Sequence, residues 1–267
     1  MRGRIIDELL SAIKSEVPSL DEICVSRVHI GLSYTGVELN TGDVGVCYTF
    51  KDDLSSVCCQ IFERAGSLAG CEAERMANLA RSWDLSESVV GVATLNALSH
   101  GAIEKNREKY VIAEGDLIDN VEIRRDDTVV LVGNLHPFIP RIEEKARRLF
   151  ILERNPQLRG RGVLPDTASE EILPLADVAI ITGTVLANGT IDRLLELSRN
   201  AREIGLVGPT ASVFPDPLFE HGVTVLGGIR VTDSKRMMQI IAEGGGMPQL
   251  KVASKRLVIK PKSPLAK

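Results

Sequence analysis

His136 and Glu153 are the residues of this chain best suited to acid–base chemistry. His136 stands three residues after Gly133 in VGNLHPF, and Glu153 closes LFILE twenty residues after the same glycine. A histidine titrates near neutral pH and serves as general acid, general base or metal ligand. An acid about twenty positions beyond a glycine turn is where dinucleotide-binding folds hold a ribose hydroxyl. The glycine turn itself is incomplete. A G-x-G-x-x-G fingerprint would need glycine where Leu135 and Phe138 stand. The ribose half of a nucleotide signature is present and the phosphate half is missing, so a conventional NAD site is not expected.

The richest polar segment is ITGTVLANGTIDRLLE. Thr182, Gly183 and Thr184 end an apolar run, and Asn188, Gly189 and Thr190 open a helix. Asn and Thr cap helices, and free amides at a helix start bind anions. The expectation is that amides at Gly133, Gly183 and Asn188 to Thr190 hold an anion, with Asn134 beside them. Gly208, Pro209 and Thr210 end another run; the glycine permits close approach and the proline removes an amide. Asn96 interrupts an apolar helical face. It is either a core hydrogen-bonding residue or a reach from the first half of the chain into the same site.

The elements that position these residues share one device. Five apolar runs end abruptly in glycine or a polar residue: VVLVGN (129–134), LFILERNP (149–156), VAIITGT (178–184), IGLVGPT (204–210) and VTVLGGI (223–229). Strands buried on both faces read as such continuous runs. They alternate with helical patterns near 137–148, 190–202 and 233–243. That alternation predicts a right-handed parallel α/β sheet, with a ligand crevice beyond its carboxyl ends. The first 120 residues read differently: an amphipathic helix, an antiparallel ribbon or meander over 23–50, then helices near 71–83 and 86–101. Ser86 or Ser88 is the expected cap of the last, and Gly101 its expected stop. The expected domains are therefore 1–120 and 121–267. The second ends in a tail with six basic and no acidic residues after Glu243, read as a solvated strand with a frayed end.

Composition narrows the function. Aromatics make up 4% of the chain and the net charge is -4. Single-strand nucleic-acid readers need aromatic platforms, and this charge exerts no general pull on phosphate backbones. No stretch is apolar enough to span a membrane. The N-terminal helix carries Asp7, Glu8 and Glu16, which a signal peptide would not. A cytoplasmic protein is expected, with neither nucleic acid nor membrane as partner. Cys24, Cys47, Cys58, Cys59 and Cys71 are odd in number and read as buried thiols rather than a disulfide framework. His29, His100, His136 and His221 are scattered, so no zinc spacing exists. There is no P-loop and no G-x-S-x-G elbow.

The runs GSLAGCEAERMANLA, VGVATLNALS, VGNLHPF, LERNP, ADVAIITGTVLANGTIDRLLEL and LVGPTASVFPDPLFEHGVTVLGG resemble a prokaryotic family of heavy-metal chelation proteins, over roughly residues 5 to 245. The resemblance implies an α+β domain similar to the enolase N-terminal domain, followed by a Rossmann-like domain. It also implies a ligand site in the cleft between them, serving heavy-metal or metal-cofactor metabolism, with a divalent or heavy metal ion as the cofactor. Carried over by position, the cleft residues are Asn96, Gly133, His136, Glu153, Thr182, Gly183, Thr184, Asn188, Thr190 and Gly208 to Thr210. Three functions stay open: binding of a small anionic metabolite or metal complex, a nucleotide- or S-adenosylmethionine-dependent enzyme with a degenerate phosphate loop, and a non-catalytic metal chelator. A homodimer is expected as the commonest assembly of soluble proteins.

Overall fold

A computed structural model describes residues 3–53 and 62–263. Helix α1 (Arg4–Glu16) turns Ile5, Ile6, Leu9, Leu10 and Ile13 to one side and buries all five. Strands β1 (Val25–Ile30), β2 (Tyr34–Leu39) and β3 (Val44–Tyr48) form the expected antiparallel meander. Helices α2 (Ala73–Ala77) and α3 (Leu85–Lys105) follow. The cap of α3 is Asp84 rather than a serine; its carboxylate accepts the amides of Ser86 and Glu87. Gly101 does not stop α3 either. The helix continues to Lys105, because Ala102 and Ile103 bury on its next turn.

The larger sheet begins with β4 (Tyr110–Glu114), followed by β5 (Thr128–Val132), α4 (Ile139–Glu143), β6 (Arg148–Glu153), β7 (Val163–Pro165), α5 (Ser169–Ile172) and β8 (Val178–Thr182). Next come α6 (Val185–Asn188), α7 (Ile191–Leu197), β9 (Glu203–Val207), α8 (Asp216–Glu220), β10 (Val225–Val231), α9 (Ser234–Ala242), α10 (Met247–Leu250) and β11 (Ser254–Pro261). The spatial order is β4-β11-β10-β9-β8-β5-β6-β7. From β10 to β7 the strands are parallel, while β11 runs antiparallel to both its neighbours. All five apolar runs lie in this parallel part. The chain moves from β5 outward to β6 and β7, then returns to β8 on the other side of β5. The strand order therefore reverses between β5 and β8, which is where such sheets open a crevice.

Three elements differ from the sequence reading. The basic tail is an internal strand: β11 is hydrogen-bonded along both edges and buries Val258 and Ile259. Its charges meet acids, Lys255 pairing with Glu114 and Arg256 with Asp116. Residues 110–114, read with the first domain, supply the edge of the large sheet. Helix α4 has five residues instead of the expected dozen, since Arg148 already begins β6.

The two sheets share one core. Ile5, Leu9, Val37 and Leu95 join Val130, Ile181, Leu186 and Leu206 in a single apolar cluster. The opposite face of the large sheet is covered by Leu117, Phe138 and Ile142 over Val129, Leu131 and Ile180. Parallel strands buried on both faces are the reason their sequences are continuously apolar. Asp192, in the first turn of α7, caps α1 from a distance: its carboxylate accepts the amides of Arg4 at 2.8 Å and Ile5 at 3.1 Å. Cys47 is buried, Cys24 and Cys71 are half-buried, and all three are free thiols; Cys58 and Cys59 lie outside the described residues. No helix among the described residues is long and apolar enough to cross a membrane.

Candidate functional site

The carboxyl ends of β5, β6, β8 and β9 open into a cavity of about 520 Å³. Its far wall comes from the small sheet. Tyr34, Tyr48 and Phe50 line it and stack edge to face, with ring centroids 6.0 Å apart for the first pair and 5.3 Å for the second. The strand-end wall is made of small residues because it has to be. Gly133 has φ +95°, and a Cβ there would come within 3.0 Å of the Thr182 methyl. A Cβ on Gly183 would come within 2.6 Å of the Ala211 backbone nitrogen.

The structure brings most of the expected residues together. Gly133, Asn134, Glu153, Thr182, Gly183, Thr184, Asn188, Gly189, Thr190, Gly208, Pro209 and Thr210 all line this cavity. His136 and Asn96 do not. The loop after β5 folds back on itself through hydrogen bonds from Leu135 to Gly133 and from His136 to Asn134. Phe138 takes the buried place and His136 is left exposed. Asn96 is fully buried behind the wall. Its Nδ2 donates to the carbonyls of Val46 at 2.7 Å and Thr210 at 3.1 Å, with that of Pro209 at 3.4 Å. It holds the Gly208–Thr210 turn against β3. Thr210 completes the join, its Oγ1 accepting the Tyr48 amide at 2.9 Å.

The amides expected to cradle an anion already have acceptors. Gly133 N–H donates to Leu152, Gly183 to Val207, Gly208 to Gly227, Asn188 to Thr184 and Gly189 to Val185. Thr190 N–H donates to the Val185 carbonyl and to Oδ1 of Asn188, two residues before it. Continuing the parallel ladder one residue past each strand uses up the strand-end amides. Glu153 is tied in a similar way. Its two carboxylate oxygens accept the amides of Asn134 at 2.9 Å and Asn155 at 2.8 Å, which fixes the ends of β5 and β6 together.

Charge in the cavity is predominantly negative. Asp52, Asp53, Glu153 and Asp166 line it, against Arg154 and Arg193. Arg154 pairs with Asp53 and Arg193 with Glu170 and Glu196, so both guanidinium groups are neutralised. Burial pushes the Tyr34 hydroxyl up to about 12. Burial, then the charges of Asp52, Glu153 and Asp53, raise that of Tyr48. Both therefore remain protonated hydrogen-bond donors at neutral pH. Among the described residues no group of three or more His, Cys, Asp or Glu is placed to hold a metal ion.

The aromatic wall and the residues Asp52, Asp53, Arg154 and Asn155 were not singled out in the sequence. One signal was available: Tyr48 and Phe50 stand two apart at the end of a strand, hence on one face, in a chain with few aromatics.

A reversed doubly wound sheet with a roofed cavity at its switch point defines an α/β protein of the Rossmann type. The chain belongs to the DUF364 family, whose profile matches residues 116–260 and is described as "Putative heavy-metal chelation". The DUF4213 profile, with the same description, matches residues 2–99. An uncharacterized protein of Methanocaldococcus jannaschii is 31% identical over 188 residues, covering 68% of this chain and 70% of that one. Two crystal structures of DUF364 proteins of unknown function are similar. The one from Desulfitobacterium hafniense has a TM-score of 0.78 at 27% identity, covering 96% of this chain and 98% of its own. The one from Pyrococcus horikoshii has a TM-score of 0.80 at 26% identity, covering 94% and 99%.

Proposed function

We propose that this protein binds a small metabolite or a preformed metal complex in the cavity at the β5–β8 switch point, and that this binding serves the handling of heavy metals or metal cofactors. The observation that carries the reading is the opposition of two walls: small-residue strand ends on one side and Tyr34, Tyr48 and Phe50 on the other. Ligand pockets combine such apolar surface with a few fixed polar groups.

The metal side of the reading comes from the family description. The donor set does not fit a bare ion. Asp53 and Asp166 face arginines, Glu153 accepts two amides, and Asp52 accepts the Asn155 side chain at 3.1 Å. A metal would arrive already chelated, with the cavity recognising the organic part. An acidic group on that ligand would meet the hydroxyl of Thr182 or Thr184 and those of the tyrosines rather than backbone amides, the Thr190 hydroxyl already donating to Asn188. The free thiols of Cys24, Cys47 and Cys71 accord with a cytoplasmic setting.

Thermal shift with nucleosides, nucleotides, pterins, and divalent metals alone or chelated tests this reading. A ligand of the cavity raises the melting temperature by an amount that grows with the logarithm of its concentration over Kd. Divalent metal alone should leave the melting temperature unchanged, and at least one metabolite or complex should raise it. A rise with metal alone, at equimolar metal, would overturn the preformed-complex reading.

A further inference from the structure

We infer that the ligand of this cavity is a nucleoside without phosphate groups, neutral or cationic overall. The inference rests on the cavity's being a ligand site and names the chemistry it would recognise.

The first support is the position of Glu153. It ends the strand next to β5 in a sheet of dinucleotide-binding order, where an acid meets ribose hydroxyls. Each of its carboxylate oxygens accepts one amide, from Asn134 or Asn155. A carboxylate oxygen accepts about two hydrogen bonds, so each keeps one acceptor position. A carboxylate pinned in this way offers two fixed acceptors side by side, which is the complement of a vicinal diol.

The second support is that the strand-end glycine amides a phosphate would use are already engaged. The amides of Gly133, Gly183 and Gly208 are bonded within the sheet. The helices after β5 and β8 have five and four residues, too short for a strong dipole. Arg154 and Arg193 are ion-paired, and of the four lining carboxylates Asp53 and Asp166 face arginines, which leaves Asp52 and Glu153 as the uncompensated charges. A phosphate would enter against like charge, whereas a neutral or cationic group would not.

The third support is the place for a base. Tyr48, Phe50 and Leu158 line the cavity with aromatic and apolar surface, Arg154 lying over the Phe50 ring, and a nucleobase can pack against the part that Tyr48 exposes. Asn134 also lines the cavity, and its Oδ1 is buried without a hydrogen-bond partner among the described residues. An exocyclic amino group would satisfy this acceptor once the Asn134 side chain turns toward the cavity.

Isothermal titration of the full chain with adenosine, guanosine, cytidine, S-adenosylmethionine, AMP, ATP and the 2′-deoxynucleosides tests the inference. A ribonucleoside or S-adenosylmethionine should bind. The matching 5′-monophosphate and 2′-deoxynucleoside should each bind at least ten-fold more weakly. In Glu153→Gln the preference for the ribo over the deoxy form should fall to within two-fold. Should that variant fail to fold, the ribo–deoxy comparison on the unaltered chain decides alone. AMP binding as tightly as adenosine, or a deoxynucleoside binding as tightly as its ribo form, would overturn the inference. If no nucleoside binds but a chelated metal or pterin does, and Tyr48→Ala weakens it, the nucleoside class fails and the cavity reading stands. If nothing in either set binds, both fail.

Discussion

The carboxylate of Glu153 accepts the backbone N–H of Asn134 at 2.9 Å, joining the carboxyl ends of β6 and β5 across the mouth of the cavity. The same side chain holds Asn155 at 2.8 Å, so one residue sets the shape of two loops. A group that fixes a wall of a pocket and faces into it should affect stability and binding together.

Replacing Glu153 by alanine should remove both ties and leave two amides without their acceptor. The expected loss is about 1–3 kcal/mol, the range for hydrogen bonds to a charged group, here at a half-buried site. Urea unfolding followed by circular dichroism checks this. An unchanged midpoint would mean that solvent replaces the carboxylate at no cost.

Asn96 acts on the cavity from behind. Its side chain binds the carbonyls of Val46 and Thr210 and so keeps the Gly208–Thr210 turn against β3. Asn96→Ala should destabilise the fold by about 1–3 kcal/mol by leaving buried carbonyls unpaired. It should also weaken any cavity ligand, although the residue does not reach the cavity. Asn96→Ala with full affinity would show that the turn holds its shape without it.

Gly183 packs against the backbone of Ala211, where a Cβ would sit 2.6 Å from nitrogen. The neighbour is main chain and gives little. Gly183→Ala should therefore destabilise by about 1–3 kcal/mol, the usual range for overpacking a tight site. Gly101 is exposed, with nothing within reach of an added Cβ, and lies inside α3. Gly101→Ala should stabilise by about 0.5–1 kcal/mol. The pair of melting temperatures, moving in opposite directions, separates the two kinds of glycine.

Asp127 supplies a pH dependence. Burial works to raise its carboxyl pKa, but hydrogen bonds from Arg202 and from the Arg124 amide hold it below the usual carboxylate value. Arg202 grips it with two nitrogens, at 2.8 and 3.2 Å. A depressed folded pKa stabilises the protein above the unfolded value and loses that contribution as pH falls through the folded value. Asp127→Asn should therefore be destabilising at about pH 7, and progressively less so as pH falls below the unfolded carboxylate value of about 3.9. Denaturant midpoints for both proteins across that range give the answer; a pH-independent difference would exclude the ion pair as its source.

The strand ends were legible because strands buried on both faces carry unbroken apolar runs, and each run stops where the backbone leaves the sheet. β7 was not legible, since three residues carry no periodicity. β11 was only half legible: its basic residues read as solvated, while Glu114 and Asp116, the partners of Lys255 and Arg256, lie some 140 residues earlier in the chain. The strand-end residues of the cavity followed from the strand ends. Tyr34, Tyr48 and Phe50 did not, because their role depends on how the small sheet docks over the large one. Proximity to Gly133 is the one sequence feature that points His136 toward the crevice. The tight loop after β5 buries Phe138 instead and turns His136 outward.

Isothermal titration of the tightest-binding compound against the unaltered chain and Tyr48→Ala tests the central claim most directly, with circular dichroism verifying that both are folded. The account predicts at least ten-fold weaker binding to Tyr48→Ala, because the ligand lies between that ring and the ends of β5 and β8. Equal affinity for the two proteins would contradict it and place the ligand elsewhere.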